Sequence, residues 1–148
     1  MNSPATGAVN SDTVDSGQVM LSLLVVAHAL EDRLEKSLDG LGLSLAKVNV
    51  LNRMAEAGEP LSLSEIAAKL NCVRSNVTQL VDRLEGDGLV RREADPGDRR
   101  SIRAVLTTDG RDRQKTGAAE LSRVITEFSR ALPAKDRDSL DRVLRLLK

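Results

Sequence analysis

The chain has 148 residues, the length of one ordinary domain, which is enough to bury a single core and leaves no room for a separate catalytic domain. Its 22 Lys and Arg residues equal its 22 Asp and Glu residues, so overall charge supplies no attraction to nucleic acid or to an anionic membrane. With one aromatic residue, Phe128, and one cysteine, Cys72, the sequence argues against stacking on bases, an intrachain disulfide and a four-ligand zinc finger. No apolar run approaches the roughly 20 residues that cross a bilayer, and residues 1–15 lack the basic residues of a secretory signal, so we expect a cytoplasmic protein without membrane association.

The N-terminal segment changes character near residue 17. Residues 1–16 are rich in Ser, Thr, Gly, Asn and Asp and are predicted to form a disordered tail. Apolar residues then recur with a helical period from Met20 to Leu38, and Gly40 predicts where this helix ends. Its first half is apolar on more than one face, and one small chain cannot cover such a helix. This pattern predicts burial against a second copy of the chain.

Two further helices are predicted from their end signals. Ser44 precedes the second helix, and Gly58 begins the segment that ends it. Ser62 and Glu65 have the S-x-x-E spacing of a capping box, which predicts a short helix as far as Leu70.

A tight turn and a fourth helix follow. Asn71 tolerates the left-handed backbone that such a turn often needs. The next helix is predicted to end at Gly86 and Gly88, and its apolar face consists of Val77, Leu80, Val81 and Leu84. The layout is a helix-turn-helix.

The last third of the chain begins with strands. Residues 89–93 and 102–106 are short strand-like runs that flank a Pro-Gly turn, which predicts a β-hairpin. Thr107 is placed to cap a long helix. Within this helix Gly117 marks a bend, and Pro133 separates it from a final helix.

The fourth helix carries a polar stripe opposite its apolar face. Side chains of these types can reach base edges or phosphates in a major groove about 12 Å wide, which admits a helix. The alternative is a solvated polar face, which is equally consistent with the helix taken alone. The stripe consists of Arg74, Ser75, Thr78, Gln79 and Asp82.

The tip of the predicted hairpin is basic. Between residues 72 and 106 seven basic and six acidic residues nearly cancel. Arg99, Arg100 and Arg103 nevertheless lie in a run without an acid, which would concentrate attraction to phosphate or to a narrow minor groove at this tip. A solvated charged loop is the alternative interpretation.

Several of these segments together resemble the winged helix-turn-helix of the MarR family of bacterial transcriptional regulators. The resemblance is closest over residues 61–110, where the order and spacing of the segments are specific. The segments are Ser64-Glu65-Ile66-Ala67, Val77-Thr78-Gln79-Leu80-Val81-Asp82-Arg83-Leu84-Glu85, Gly88-Leu89-Val90, Asp95-Pro96-Gly97-Asp98-Arg99-Arg100 and Leu106-Thr107-x-x-Gly110.

The resemblance implies a mainly α fold, a winged helix-turn-helix with about six helices and a small β-hairpin wing, in an intertwined homodimer. Residues 44–111 would bind duplex DNA, with recognition helices in successive major grooves and wings beside the minor grooves. Residues 17–43 and 112–148 would supply the dimerisation helices. The dimer contacts predicted from the apolar stripes are Leu21, Leu24, Leu121, Val124, Ile125, Phe128, Leu140, Leu144 and Leu147.

The resemblance also assigns DNA-binding residues. In the wing, the acid of a D-x-R pattern would orient an arginine that meets DNA, and here these residues are Asp98 and Arg100, with Arg99 and Arg103 beside them. Val73 departs from the family's usual Ser at the helix N-cap, so we expect the recognition helix to lose a capping bond and to start later, at Ser75. The recognition residues carried over are Arg74, Ser75, Asn76, Thr78 and Gln79, the last at a position where Arg is frequent.

Control of DNA binding is implied less specifically. The family resemblance implies release of DNA by a small effector, an aromatic acid or a phenol, or by thiol oxidation. Cys72 lies where the family usually has an apolar residue, which favours a small buried side chain over an oxidation switch. His28, Glu31 and Asp32 share one helix face and form half of a metal site, but with one His in the chain ordinary helix electrostatics are the simpler interpretation.

Two alternative functions stay open, and a third class, an enzyme, is disfavoured. A winged-helix module that binds a protein partner through the same polar face is the main alternative, and a metal- or redox-sensing regulator is a second. No nucleophile–base pair or phosphate-binding Gly motif is recognisable, so we expect neither an enzyme nor a cofactor.

Overall fold

The computed structural model of the chain describes residues 15–98 and 100–147. The predicted tail therefore lies almost wholly outside the described residues. The first helix, α1 (Ser16–Asp39), already includes Ser16, because Asp15 caps it: its Oδ1 accepts a hydrogen bond from the backbone N–H of Gly17 at 3.1 Å.

The described residues form a mainly helical fold with a small antiparallel sheet, as predicted. The sheet has the order β1-β3-β2, so the predicted hairpin supplies its centre and one edge. The remaining elements in chain order are α2 (Leu45–Ala57), β1 (Leu61–Ser62), α3 (Leu63–Leu70), α4 (Arg74–Gly86), β2 (Val90–Ala94), β3 (Ile102–Leu106), α5 (Thr108–Ser129) and α6 (Ala134–Leu146).

Local capping chemistry sets the helix ends that the sequence predicts. The side chain of Ser44 accepts a bond from the N–H of Lys47, and Ser62 and Glu65 form both bonds of the capping box. Asn71 adopts the left-handed conformation, with φ of 52°, between α3 and α4. Thr107 caps α5 through the N–H of Gly110.

The core is aliphatic and centres on α2. Helix α4 packs against it with Val77, Val81 and Leu84, all three fully buried. Because one face of α4 is committed to the core, its opposite face is turned outwards. The other fully buried large side chains are Leu38, Val48, Val50, Leu51, Ile66 and Val90.

Gly117 marks close packing. Helix α5 runs without interruption through Gly117, which is buried where α5 passes α2 and the preceding loop. A Cβ atom there would lie 2.9 Å from Cγ2 of Val48 and 3.0 Å from Cδ1 of Leu43. The glycine therefore allows two helices to approach closely, where the sequence predicted a bend.

Some of the predicted dimer contacts are exposed on the single chain, and others are covered wholly or partly by their own chain. In the described chain Leu21 and Leu24 are more than half exposed on α1, and no residue of α6 is buried, which leaves apolar surface for a partner. Val124 stays a prediction: only 7% of its surface is exposed, because its own chain covers most of it. Leu121 likewise packs partly against the core. Of the remaining predicted contacts, Phe128 is half-buried, and the Cζ atom of Arg33 lies 5.7 Å from the centroid of its ring. The exposed ones are Ile125, Leu140, Leu144 and, just beyond the end of α6, Leu147.

Candidate nucleic-acid interface

The outer face of α4 carries the predicted recognition residues. Thr78 is half-buried, and its Oγ1 donates a bond to the carbonyl of Arg74 at 3.0 Å. The helix begins at Arg74, one residue before the predicted start, although Val73 supplies no side-chain cap as expected. The predicted side chains exposed on this face are Arg74, Ser75, Asn76 and Gln79.

The wing is an antiparallel hairpin whose tip is held by aspartates. Asp95 accepts a bond from the N–H of Gly97 at 2.7 Å, and Asp98 accepts one from the N–H of Arg100 at 3.0 Å. Because Asp98 accepts from the backbone of Arg100, its carboxylate shapes the turn from which the exposed Arg100 side chain projects. Arg99 lies outside the described residues.

Arg103 is engaged within the wing. Its Nε pairs with the carboxylate of Asp95, and its Nη1 donates to the carbonyl of Pro60 at 3.0 Å. The pair raises the pKa of Arg103 and lowers that of Asp95. These contacts join the wing to β1, so they favour a role for Arg103 in holding the wing over the direct DNA contact predicted for it.

A cleft of about 530 Å³ separates the helix-turn-helix from the wing. Three arginines from different elements meet there: Arg74 at the start of α4, Arg92 on β2 and Arg100 at the wing tip. The rest of the lining comes from the start of α3 and from the wing: Ser62, Leu63, Ser64, Asp98, Ser101 and Ile102. Arg74 and Arg100 are exposed there and can attract phosphate groups to the cleft.

Arg92 is the residue of this cleft that sequence reasoning missed. Its Nη2 lies 2.5 Å from Oδ1 of Asp82, and its Nη1 pairs with Glu85. The bond to Asp82, followed by that to Glu85, raises the pKa of Arg92. The sequence signal for this contact is a pair of acids three residues apart on α4, Asp82 and Glu85, followed by a strand that carries an arginine and can bring it back to them.

A second cleft, also of about 530 Å³, lies between the end of α1 and the middle of α5. Arg123 pairs there with Glu120 at 2.6 Å and with Glu127 at 2.7 Å. The bond from Arg123 lowers the pKa of Glu120. The lining residues are Ser37, Gly40, Leu41, Thr116, Ala119, Glu120 and Arg123.

The residues predicted as candidates for thiol oxidation or metal binding lie outside the cleft between α4 and the wing. Cys72 is half-buried against the core between α3 and α4, close to the small apolar role predicted for it. His28, Glu31 and Asp32 are exposed on α1, and within residues 15–98 and 100–147 no three His, Cys, Asp or Glu side chains are grouped to hold a metal ion. In the same described ranges, no helix combines the length and hydropathy of a membrane span.

Comparison with known proteins agrees with this geometry. The MarR family model matches residues 43–102, which run from the start of α2 into β3. The transcriptional regulator YkoM of Bacillus subtilis is 33% identical over 125 residues, which cover 84% of this chain and 75% of YkoM. The transcriptional repressor YetL of the same organism is 33% identical over 103 residues, and the chain spans 62% of YetL's length.

The fold is shared with solved structures of the same family. The crystal structure of AbsC, a MarR family transcriptional regulator from Streptomyces coelicolor, superimposes with a TM-score of 0.79 at 28% identity. The match covers 91% of this chain and 93% of AbsC. Proteins of this type regulate transcription and are not enzymes. The chain belongs to the MarR family of winged helix-turn-helix transcriptional regulators.

Proposed function

We propose that the chain is a sequence-specific, homodimeric repressor that binds a pseudo-palindromic DNA operator. The observation that carries this proposal is that Arg74, at the start of the exposed polar face of α4, and Arg100, at the tip of the wing, line one cleft. Residues 44–111 form the DNA-binding region. A repressor, rather than an activator, is favoured by the similarity to YetL.

Dimerisation is supported by apolar surface that a single chain leaves uncovered. Leu21, Leu24 and Val25 are each more than half exposed on α1, and α6 exposes half or more of Val143 and Leu146. Obligate interfaces commonly bury more than about 2,000 Å². We propose that residues 17–43 and 112–148 of two chains cover each other.

Two-fold symmetry sets the form of the DNA site. Two recognition helices related by a dyad read inverted half-sites whose centres lie about one helical turn, or 10 to 10.5 base pairs, apart. The side chains proposed to read bases are Arg74, Ser75, Asn76, Thr78 and Gln79.

A salt titration tests the role of the wing. The probe is a duplex selected by the wild-type chain from a random library, with binding followed by fluorescence anisotropy. Arg100→Ala should weaken binding and make the slope of log K against log salt shallower by about one, because one phosphate contact is lost. Arg53→Ala is the matched control, since Arg53 pairs with Glu56 on α2 and does not line the cleft. An unchanged slope for Arg100→Ala would contradict the assignment of the wing.

Base reading by α4 is tested separately. Gln79→Ala should relax preference at particular base pairs, at a cost of about 1 to 3 kcal/mol there, while leaving binding to a scrambled duplex nearly unchanged. A protein-interaction module, which the zero net charge favours, would instead bind selected and scrambled duplexes equally.

The proposed input is a small aromatic acid or phenol that binds in the cleft between α1 and α5. Arg123 lines this cleft with its guanidinium held by Glu120 and Glu127, and the contact of α1 with α5 links the cleft to the proposed dimer helices. Such an effector would alter the distance between the recognition helices, with a coupling free energy of about 1 to 3 kcal/mol. Salicylate, as a probe, should release the selected duplex. Release by peroxide through Cys72, or by a bound metal found by mass spectrometry, would favour the sensing alternatives.

A further inference from the structure

Two carboxylates stand on the recognition helix beside the residues proposed to read DNA. Asp82 continues the stripe of Arg74 and Thr78 at helical spacing, and Glu85 follows one turn later. The side chain of Asp82 is 55% exposed and that of Glu85 is 39% exposed. Carboxylates on a surface that approaches phosphates oppose binding, so this helix carries a feature that its proposed function has to offset.

Arg92 engages both carboxylates at once. The two ends of its guanidinium contact Asp82 and Glu85, and its backbone N–H donates to Oε1 of Glu85 at 3.2 Å. The position of the backbone is fixed, because Arg92 faces Ala104 in the β2–β3 register. A planar fork held at both ends is a geometry that Arg provides and Lys does not.

The same guanidinium lies at the proposed DNA interface. Arg92 lines the cleft together with Arg74 and Arg100, and its side chain is 24% exposed. We propose that Arg92 is a positioning residue for DNA binding: it holds Asp82 and Glu85 to the base of the wing and offsets their charge, so that phosphates can enter the cleft. This inference rests on the proposed function.

Three variants separate this role from a purely structural one. Arg92→Met removes the cation and leaves both carboxylates free, and binding to the selected duplex should weaken about 10-fold. The triple variant Asp82→Asn/Glu85→Gln/Arg92→Met removes the acids as well, and its affinity should return to that of the wild type or exceed it. The matched control is Lys47→Met. It breaks the 2.7 Å ion pair between Lys47 and Asp87, which follows α4 and lies outside the cleft, and it should change affinity less than about 3-fold.

Salt provides a second measurement that a structural role would not move. The deficit of Arg92→Met should shrink as ionic strength rises, since the Debye length falls from about 10 Å at 0.1 M to about 3 Å at 1 M salt. Thermal unfolding of each variant checks that the chain is folded before binding is measured.

The outcomes are distinct. Recovery of affinity in the triple variant supports the inference. A folded triple variant that binds as weakly as Arg92→Met, with a deficit independent of salt, would overturn it and assign Arg92 a structural role alone. If the wild-type chain selects no duplex from the library, the proposed function fails, and the inference that rests on it is overturned as well.

Discussion

Gly110 lies in the first turn of α5, where this helix closely approaches the backbone of Leu89. A Cβ atom at this position would lie 1.9 Å from the carbonyl oxygen of Leu89, whereas ordinary contact begins at 3.4 Å. The obstacle is backbone, so Gly110→Ala must displace the first turn of α5 by about 1.5 Å. That turn is also where the N–H of Thr107 donates to the same oxygen at 3.1 Å and where Thr107 caps the helix.

The cost follows from these two effects. Overpacking of this kind costs about 1–3 kcal/mol, and weakening the N-cap adds about 1 kcal/mol. We therefore expect Gly110→Ala to lower the free energy of unfolding by about 2–4 kcal/mol and the thermal midpoint by roughly 6–12 °C for a chain of this size.

Circular dichroism at a fixed protein concentration measures this shift, because the midpoint of the proposed dimer would depend on concentration. Gly86→Ala is the matched control: no atom lies within 4 Å of the added Cβ at the last residue of α4. Alanine should be neutral there or stabilise by up to about 1 kcal/mol. A midpoint for Gly110→Ala within about 2 °C of the wild type would refute the reasoning.

Three further predictions concern the core, acid stability and the dimer. Leu84→Ala, which truncates a fully buried side chain of α4, should cost about 2–5 kcal/mol in urea unfolding, and a loss below about 1 kcal/mol would contradict the packing described. Hydrogen bonds with Ser62 lower the pKa of Glu65 below its ordinary value of 4.5. The ionised Glu65 therefore contributes fully to stability above about pH 4.5, and this contribution is lost as the pH falls through the lower pKa of the folded state. Thermal midpoints measured between about pH 5 and 3 should therefore fall less in Glu65→Gln than in the wild type, and parallel curves would count against the capping box. Leu24→Glu should shift the chain from dimer to monomer in sedimentation equilibrium at micromolar concentration, whereas a wild-type chain that is already monomeric would refute the interface.

The features that could be predicted from sequence are those with local causes. Ser44, Ser62 and Asn71 act on backbone groups within a few residues, so their roles are readable from spacing alone. The predicted recognition face followed from the helical period of Val77 and Leu84, which fixes the opposite side.

The features that were missed depend on contacts between distant parts of the chain. Strand β1 has two residues and no periodicity, and it forms only because Leu61 pairs with Ala104. The role of Gly117 depends on Val48 across the helix contact, a residue far away in the sequence that the local pattern does not reveal. Val124 belongs to an apolar stripe, but periodicity does not tell which part of a stripe is covered by its own chain and which part is left exposed.

The ion pairs of the interface show the same limit. Folding gives carboxylate partners to Arg103, a member of the predicted basic tip, and to Arg92, which no sequence pattern singles out. Arg74 and Arg100 are exposed, and residue type alone does not tell which arginines gain a carboxylate partner on folding.

Hydroxyl-radical footprinting of the selected duplex, combined with the stoichiometry of the complex, tests the central claim most directly. Two chains joined by their α1 and α6 helices should protect segments that recur on one side of the duplex about 10 base pairs apart, with two chains per site. Protection without this phase, or a complex containing a single chain, would contradict the account.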